Sequence, residues 1–342
     1  EYVYFSSYSS SWLAHSKEYT EKMISRFSFD TKSMVIEVAS NDGYLLQYFK
    51  ENEIPVLGIE PTANTANVAI DKGIETITDF FGVRLAEELS DKSIKADLLI
   101  GNNVLAHVPN ILDFVGGIRK VLKERGIVTI EFPHVMQLIK NNQFDTIYHE
   151  HFSYLSLHTV KQIFESQGLF IFDVDEINTH GGSLRIYATH SANTQQSISL
   201  NVQALLAKEY ANGINKIDYY SNLQEKALKI KLQLLQFLIT QKAQNKKIVA
   251  YGAAAKGNTL LNYCGVKNDL VDFVADANPH KRNKFLPASH IPVKDEIELK
   301  KAKPDFVLIL PWNLRAEITA QLDYIKEWGG KFAVPIPELE IF

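Results

Sequence analysis

Cysteine is nearly missing from this chain: Cys264 is the single one in 342 residues. A disulfide and a cysteine-based zinc site are thereby excluded within these residues, and no metal is expected. A basic excess is missing as well. With 36 Lys+Arg against 40 Asp+Glu the formal net charge is −4 and the pI is near 6.2, which speaks against a surface built for nucleic-acid phosphates. No apolar run approaches the ~20 residues that span a bilayer, and no signal peptide opens the chain. A cytoplasmic monomer with neither nucleic acid nor membrane as partner is expected. The first residue is Glu1 rather than Met, which suggests a segment upstream. What is present is 46% hydrophobic residues, enough for a sizeable core in two domains or one large one.

Residues 34 to 189 alternate short β-branched runs with amphipathic segments, the pattern of strands interleaved with helices in a parallel sheet. Strands are expected over Met34–Ala39, Val56–Glu60, Ala96–Asn102 and Gly126–Phe132. Helices are expected over Tyr44–Asn52, Ala63–Lys72, Val83–Leu89 and Ile111–Leu122, and another near Thr159–Gln167. Two late strands, Phe170–Asp175 and Ser183–Thr189, are joined by a short glycine loop and should pair antiparallel, since a parallel pair needs a long crossover. From Gln203 to Asn245 one or two long helices follow, with Leu223, Ala227, Ile230, Leu234 and Phe237 on one face. A second α/β lobe begins at Lys247. The expected organisation is a Rossmann-like first domain over 1–200, a helical connector over 201–246 that packs the lobes together, and a Rossmann-like lobe over 247–342.

The turn after the first strand selects among cofactors. Val35 to Ala39 runs straight into Ser40-Asn41-Asp42-Gly43, where ligands bind in a doubly wound sheet. A dinucleotide pyrophosphate wants three glycines at such a turn; this one has a single glycine flanked by Glu37 and Asp42. Acidic residues repel a pyrophosphate but suit a cationic amino-acid cofactor such as S-adenosylmethionine. Glu60, ending the second strand, is placed to accept from ribose hydroxyls; Asp79 and Phe80 to hold the adenine; Asn102 and Asn103 to line the methionine end. Any one of these acidic strand ends alone is equally a solvated turn.

Tyr148-His149-Glu150-His151-Phe152 packs four ionisable or hydrogen-bonding side chains into five residues. A site that moves a proton needs such a set, whereas a hydrated loop rarely does. An extended loop would send 149 and 151 to one side and 148 and 150 to the other, so part of the cluster is scaffold. In the second lobe, Gly252-Ala253-Ala254-Ala255-Lys256-Gly257-Asn258 reads as a turn into a helix that offers backbone amides and a lysine to an anion. Asp276, Asn278, Lys281 and Trp312 follow later strands of that lobe, where a nucleoside could be held. Cys264 reads as buried filler.

The runs Glu37–Leu46, Asn102–His107, Tyr148–His151, His180–Arg185 and Tyr251–Thr259 together resemble the S-adenosylmethionine-dependent sugar C-methyltransferases over nearly the whole chain. The resemblance implies methylation of a carbon of a nucleotide-linked 4-keto-deoxyhexose, with dTDP the expected nucleotide. It places the general base at His151, leaves Tyr148 and Glu150 to orient the sugar or tune the base, and brings His107 to the ketone or enolate. Imidazole suits the base because its ordinary pKa of ~6.5 keeps a neutral acceptor at neutral pH. His180, Gly181, Gly182, Ser183 and Arg185 are expected at the substrate, with Arg185 on its diphosphate; the alternative is a tight hairpin with a surface arginine. The aromatic N-terminus, Tyr2 included, is expected to cover the cofactor or substrate as a lid. The family's usual cysteine-rich zinc module is missing. Against this stand a nicotinamide-dependent sugar oxidoreductase, a binding protein without turnover, and O- or N-methylation.

Overall fold

In the computed structural model residues 5–342 are described, so Tyr2 lies outside the described residues. The chain divides into two compact units. The first comprises residues 1–135, 152–178 and 182–213, and the second residues 136–151, 179–181 and 214–342.

The first unit is built on a seven-stranded sheet: β1 (Val35–Val38), β2 (Val56–Ile59), β3 (Thr76–Ile77), β4 (Ala96–Asn102), β5 (Leu122–Pro133), β6 (Leu169–Ile177) and β7 (Ser183–His190). The order is β3-β2-β1-β4-β5-β7-β6. β1 pairs in parallel with β2 and β4, while β7 runs antiparallel to β5 and also to β6, the latter as the short glycine connection between them requires. All four residues of β1 are buried, which is why the strand reads as a continuous run instead of an alternation. Glu37 is the exception within that run: a fully buried carboxylate on a central strand.

Helices α1 (Ser10–Phe27), α2 (Leu46–Glu51), α3 (Ala63–Asp71), α4 (Val83–Asp91), α5 (Ile111–Val121), α6 (Val135–Lys140), α7 (Leu157–Ser166) and α8 (Leu200–Ala211) follow in chain order. α2 starts two residues later than the periodicity predicts. Gly43, at φ 74, still belongs to the turn, and left-handed backbone cannot open a right-handed helix. The last helix before β5 stops at Val121 because the strand already begins at Leu122, not at Gly126.

The second unit has strands β8 (Ile248–Tyr251), β9 (Val274–Asp276), β10 (Val293–Asp295), β11 (Phe306–Ile309), β12 (Lys331–Val334) and β13 (Glu340–Ile341) in the order β10-β9-β8-β11-β12-β13. Only β13 is antiparallel. The expected connector is two helices that fall in different units: α8 belongs to the first, and α9 (Leu223–Ala243) to the second. Ala227, Ile230, Leu234 and Phe237 of α9 pack into the second core with Leu260, Leu261 and Cys264 of α10 (Ala255–Cys264). Cys264 is buried there and its thiol is pushed up to about 12 by burial, which makes it inert packing.

α4 and α5 lie so close that a β-carbon at Gly117 would sit 2.7 Å from the carbonyl carbon and 2.8 Å from the oxygen of Gly82. Backbone cannot yield as a side-chain tip does. Gly117→Ala is therefore expected to destabilise the first unit by about 1–3 kcal/mol, read as a lower thermal midpoint. An unchanged midpoint would mean that α4 moves aside at no cost.

Candidate active site

In the first unit the strand order reverses between β1 and β4, which leaves a crevice outside their carboxyl ends. The turn that follows β1 is unusual: Ala39 (φ 58), Asn41 (φ 51) and Gly43 (φ 74) are all left-handed. A side-chain-bearing residue held this way costs on the order of 1–2 kcal/mol, so something must fix it. The Ala39 amide bonds Ile59 O at 2.8 Å and the Gly43 amide bonds Ser40 O at 3.0 Å. Glu60, 4% exposed at the end of β2, accepts from the Asn41 amide at 2.9 Å with one oxygen and from the Thr62 amide at 2.9 Å with the other. The predicted ribose-binding carboxylate is thus also the clamp that shapes the turn.

Behind this turn lies Glu37. Its carboxylate faces the Tyr44 hydroxyl, yet among the described residues neither oxygen meets ordinary hydrogen-bond geometry. Asp42 Oδ1, Ser40 Oγ and Asn102 Oδ1 are likewise buried without a hydrogen-bond partner among them. Burial raises the Glu37 carboxyl well above the usual range, and the charges of Asp42, Glu60 and Glu131 add to the rise. Asn103 (φ 53) anchors its amide on Glu131 O at 2.8 Å, which turns the chain across the crevice after β4. A crevice with unsatisfied buried acceptors and an acidic surplus calls for a ligand with positive charge and donors. These residues fit S-adenosylmethionine.

Three features were not read from the sequence. The Ser6 amide bonds Asn41 Oδ1 at 2.9 Å and the Ser7 amide approaches Asp42 Oδ2 at 3.3 Å, so residues 6 and 7 are tied to the turn through their backbone amides. Lys72 Nζ reaches Asp42 O at 2.8 Å. The third feature corrects an expectation. Arg185 is no surface arginine: 4% exposed, it donates through Nε to Glu131 Oε1 at 2.7 Å, bonds it again through Nη2, and shares Glu131 with His15, whose Nε2 lies 3.2 Å away. Its charge is already neutralised and is not on offer to a diphosphate. Asp79 is paired with Arg84 at 2.6 Å, which holds its carboxyl below the usual range, and the Phe80 ring is 78% exposed beside it. A cavity of about 550 Å³ lies away from the crevice between α1, β6, β7 and α8; there Lys22 is paired with Asp175 and Lys208 with Glu176.

The remaining expected residues are divided between the units. His107, Gly182 and Ser183 belong to the first; Tyr148, Glu150, His151, His180 and Gly181 belong to the second. The Tyr148 and His151 rings lie in tilted contact, with centroids 4.1 Å apart. His151 Nδ1 lies 2.7 Å from the Thr146 carbonyl oxygen, and because a carbonyl only accepts, Nδ1 carries the hydrogen. Nε2 is then the basic nitrogen of the neutral ring.

The second unit's own crevice opens between β8 and β11. Gly252 (φ 90) begins its turn, and a β-carbon there would meet Pro311 Cδ at 2.5 Å. Asp276, at the end of β9, accepts from the Ala253 amide at 2.7 Å and from the Asn278 amide at 2.8 Å. Lys281 Nζ reaches Ala253 O at 3.0 Å. Lys256 at the start of α10 donates to Asn313 Oδ1 at 2.8 Å and lies 4.6 Å from the centre of the Trp312 ring. Asn258 Oδ1 is buried without a partner among the described residues.

Residues 12–173 match a methyltransferase domain, and residues 178–337 match the C-methyltransferase C-terminal domain. The chain is 34% identical over 337 residues to the C-methyltransferase NovU of Streptomyces niveus, spanning 98% of this chain and 80% of that one. It belongs to the C-methyltransferase family. Solved methyltransferases from Anabaena variabilis (12% identity, 50% of this chain and 83% of that one, TM-score 0.42) and Synechocystis (magnesium protoporphyrin IX methyltransferase; 12%, 52% and 79%, TM-score 0.40) are too distant to add to the assignment. The methyl donor of this C-methyltransferase is S-adenosylmethionine, which when bound supplies an electrophilic methyl group on a sulfonium. Glu37, Asn41, Asp42, Gly43, Glu60, Asn102 and Asn103 are the residues that would hold it.

Because burial raises the Glu37 carboxyl, the cofactor-free protein keeps a proton there at pH values where an exposed glutamate has lost it. A cation seated beside it favours the ionised form, so binding releases that proton and affinity rises with pH through this range. Calorimetric titration in buffers of different ionisation enthalpy should report the release, and Glu37→Gln should flatten the pH dependence. The same slope in both proteins would assign the proton to another group.

Proposed function

We propose that this C-methyltransferase removes the proton α to the ketone of a nucleotide-linked 4-keto-deoxysugar, dTDP-linked in the simplest case, and methylates that carbon, with His151 as general base. The observation that carries the reading is the His151 tautomer, since the Thr146 carbonyl fixes Nδ1 as donor and leaves Nε2 to accept. Tyr148, in tilted contact with the ring, restricts its rotation. Glu150 orients the sugar and His107 donates toward the enolate oxygen that forms as the proton leaves.

The nucleotide is assigned to the second unit. Lys256 and the first amides of α10 offer positive potential to the diphosphate, and Gly252, Ala253, Asn258, Asp276, Asn278, Lys281 and Trp312 surround the same turn. His180 and Gly181 border it, since a β-carbon at Gly181 (φ 89) would run into the Trp312 ring. The contrast with the acidic crevice of the first unit supports a division of labour, a cation on one lobe and a diphosphate on the other. Pure recognition needs no proton acceptor, which disfavours a binding protein without turnover.

Labelled 4-keto-deoxysugar nucleotides incubated in deuterated water should exchange the α-proton and, with methyl-labelled S-adenosylmethionine, gain the label on carbon. Exchange absent from the whole panel, together with label on oxygen or nitrogen, would replace this reading with heteroatom methylation. His151→Ala is expected to lower turnover by about a hundredfold or more with cofactor affinity unchanged. Glu60→Ala should weaken cofactor binding while α-proton exchange persists, and an unchanged affinity would remove Glu60 from the cofactor site.

A further inference from the structure

Asp145 is fully buried in the second unit, although nothing in the sequence marks it. It lies in the 3-10 turn Phe144–Thr146, within the segment 136–151 that leaves β5 and joins the second unit. Trp312 Nε1 donates to its Oδ2 at 2.8 Å, whereas Oδ1 has no partner among the described residues. The charged side chain that acts on it is Lys256, whose own contacts are Asn313 and the face of Trp312. Burial pushes the Asp145 carboxyl up to about 7 and lowers the Lys256 ammonium, so neither group is at rest in this environment. A half-satisfied buried carboxylate costs about 1–3 kcal/mol that an apolar residue would not. Stability does not explain it.

Position does. Thr146, the next residue, supplies the carbonyl that accepts from His151 Nδ1, and its own amide and hydroxyl return to Gln143 O at 3.1 and 2.7 Å. Gln143 Nε2 in turn donates to Gly181 O at 2.7 Å. Phe144, on the other side of Asp145, packs against Tyr263 of α10 with ring centroids 5.0 Å apart. One short turn therefore meets the Lys256 helix, the Trp312 indole and the base.

We propose that Asp145 is a positioning residue that ties the Lys256–Trp312 turn of the second unit to His151, holding the Thr146 carbonyl where it fixes the tautomer of the base. The inference rests on the assignment of His151 as base, but the tie itself is a property of the substrate-free protein. Its carboxylate grips the indole, the indole is wedged against Gly181 and Lys256, and the turn has no freedom to withdraw its carbonyl. Seating a ligand against Lys256 and Trp312 then bears directly on the base.

The test is histidine-labelled ¹⁵N NMR on wild type, Asp145→Ala and Trp312→Phe, with kcat and KM measured in parallel. Wild type should show His151 as the Nδ1-protonated tautomer without substrate, and both variants should show mixed tautomers. Turnover should fall about tenfold or more with KM for S-adenosylmethionine unchanged, and Asp145→Ala should add little to His151→Ala, as coupled residues do. Asp145→Asn, which keeps the acceptor for the indole, should restore the tautomer. If Asp145→Ala does not fold, Trp312→Phe alone decides. Folded variants with a wild-type tautomer overturn the tie; a disturbed tautomer with unaltered turnover leaves the tie standing and instead removes His151 as the base.

Discussion

Both units depend on the same interaction: a buried carboxylate at the end of the second strand that accepts two backbone amides. Glu60 takes the amides of Asn41 and Thr62, and Asp276 takes those of Ala253 and Asn278. In each case one amide comes from the turn after the first strand and the other from the residue two positions beyond the carboxylate. A charged acceptor satisfied by two N–H groups is about twice as strong as a neutral pair. It is what allows side-chain-bearing residues such as Ala39 and Asn41 to stay left-handed at the mouth of the first crevice.

From that shared frame the two crevices diverge by charge. The first accumulates Glu37, Asp42 and Glu60, with Lys72 near one of them and Tyr44 in place of a cation at Glu37. The second places Lys281 against Asp276, 3.6 Å apart, and adds Lys256 beside an aromatic face. A surplus of buried negative charge stabilises a bound cation and repels phosphate; the second crevice carries no such surplus, since Lys281 faces Asp276 and Lys256 faces Asp145. The fold alone would not distinguish them. The side chains at the strand ends do.

Much of this is legible in the sequence because it is local. β1 and its turn are contiguous, so the acidic character of Glu37-to-Gly43 can be weighed against the three-glycine alternative from neighbouring residues alone. The antiparallel pairing of β6 with β7 follows from Gly181-Gly182 for the same reason. What the sequence hides is what depends on distant partners. Arg185 reads as a ligand for phosphate because Glu131, its partner, lies 54 positions earlier on the neighbouring strand. Asp145 is invisible because its meaning is set by Trp312, 167 positions away. The helices between the lobes read as one connector from periodicity, yet α8 packs against the first core and α9 against the second, a distinction that hydrophobic spacing does not encode.

The departure of residues 136–151 from the first unit has a mechanistic consequence. The polypeptide that carries Tyr148 and His151 shares a core with the turn of Lys256, since Phe144 packs among the residues of α9 and α10. In the proposed reaction, base and nucleotide contacts therefore belong to one compact unit. A sugar fixed by its diphosphate then meets the base with little further loss of rotational freedom, which is where intramolecular reactions gain most of their rate. The base proposed to take the α-proton belongs to that unit, whereas His107 belongs to the other. Transfer of the methyl group needs the cofactor crevice as well, and that is a property of the other unit.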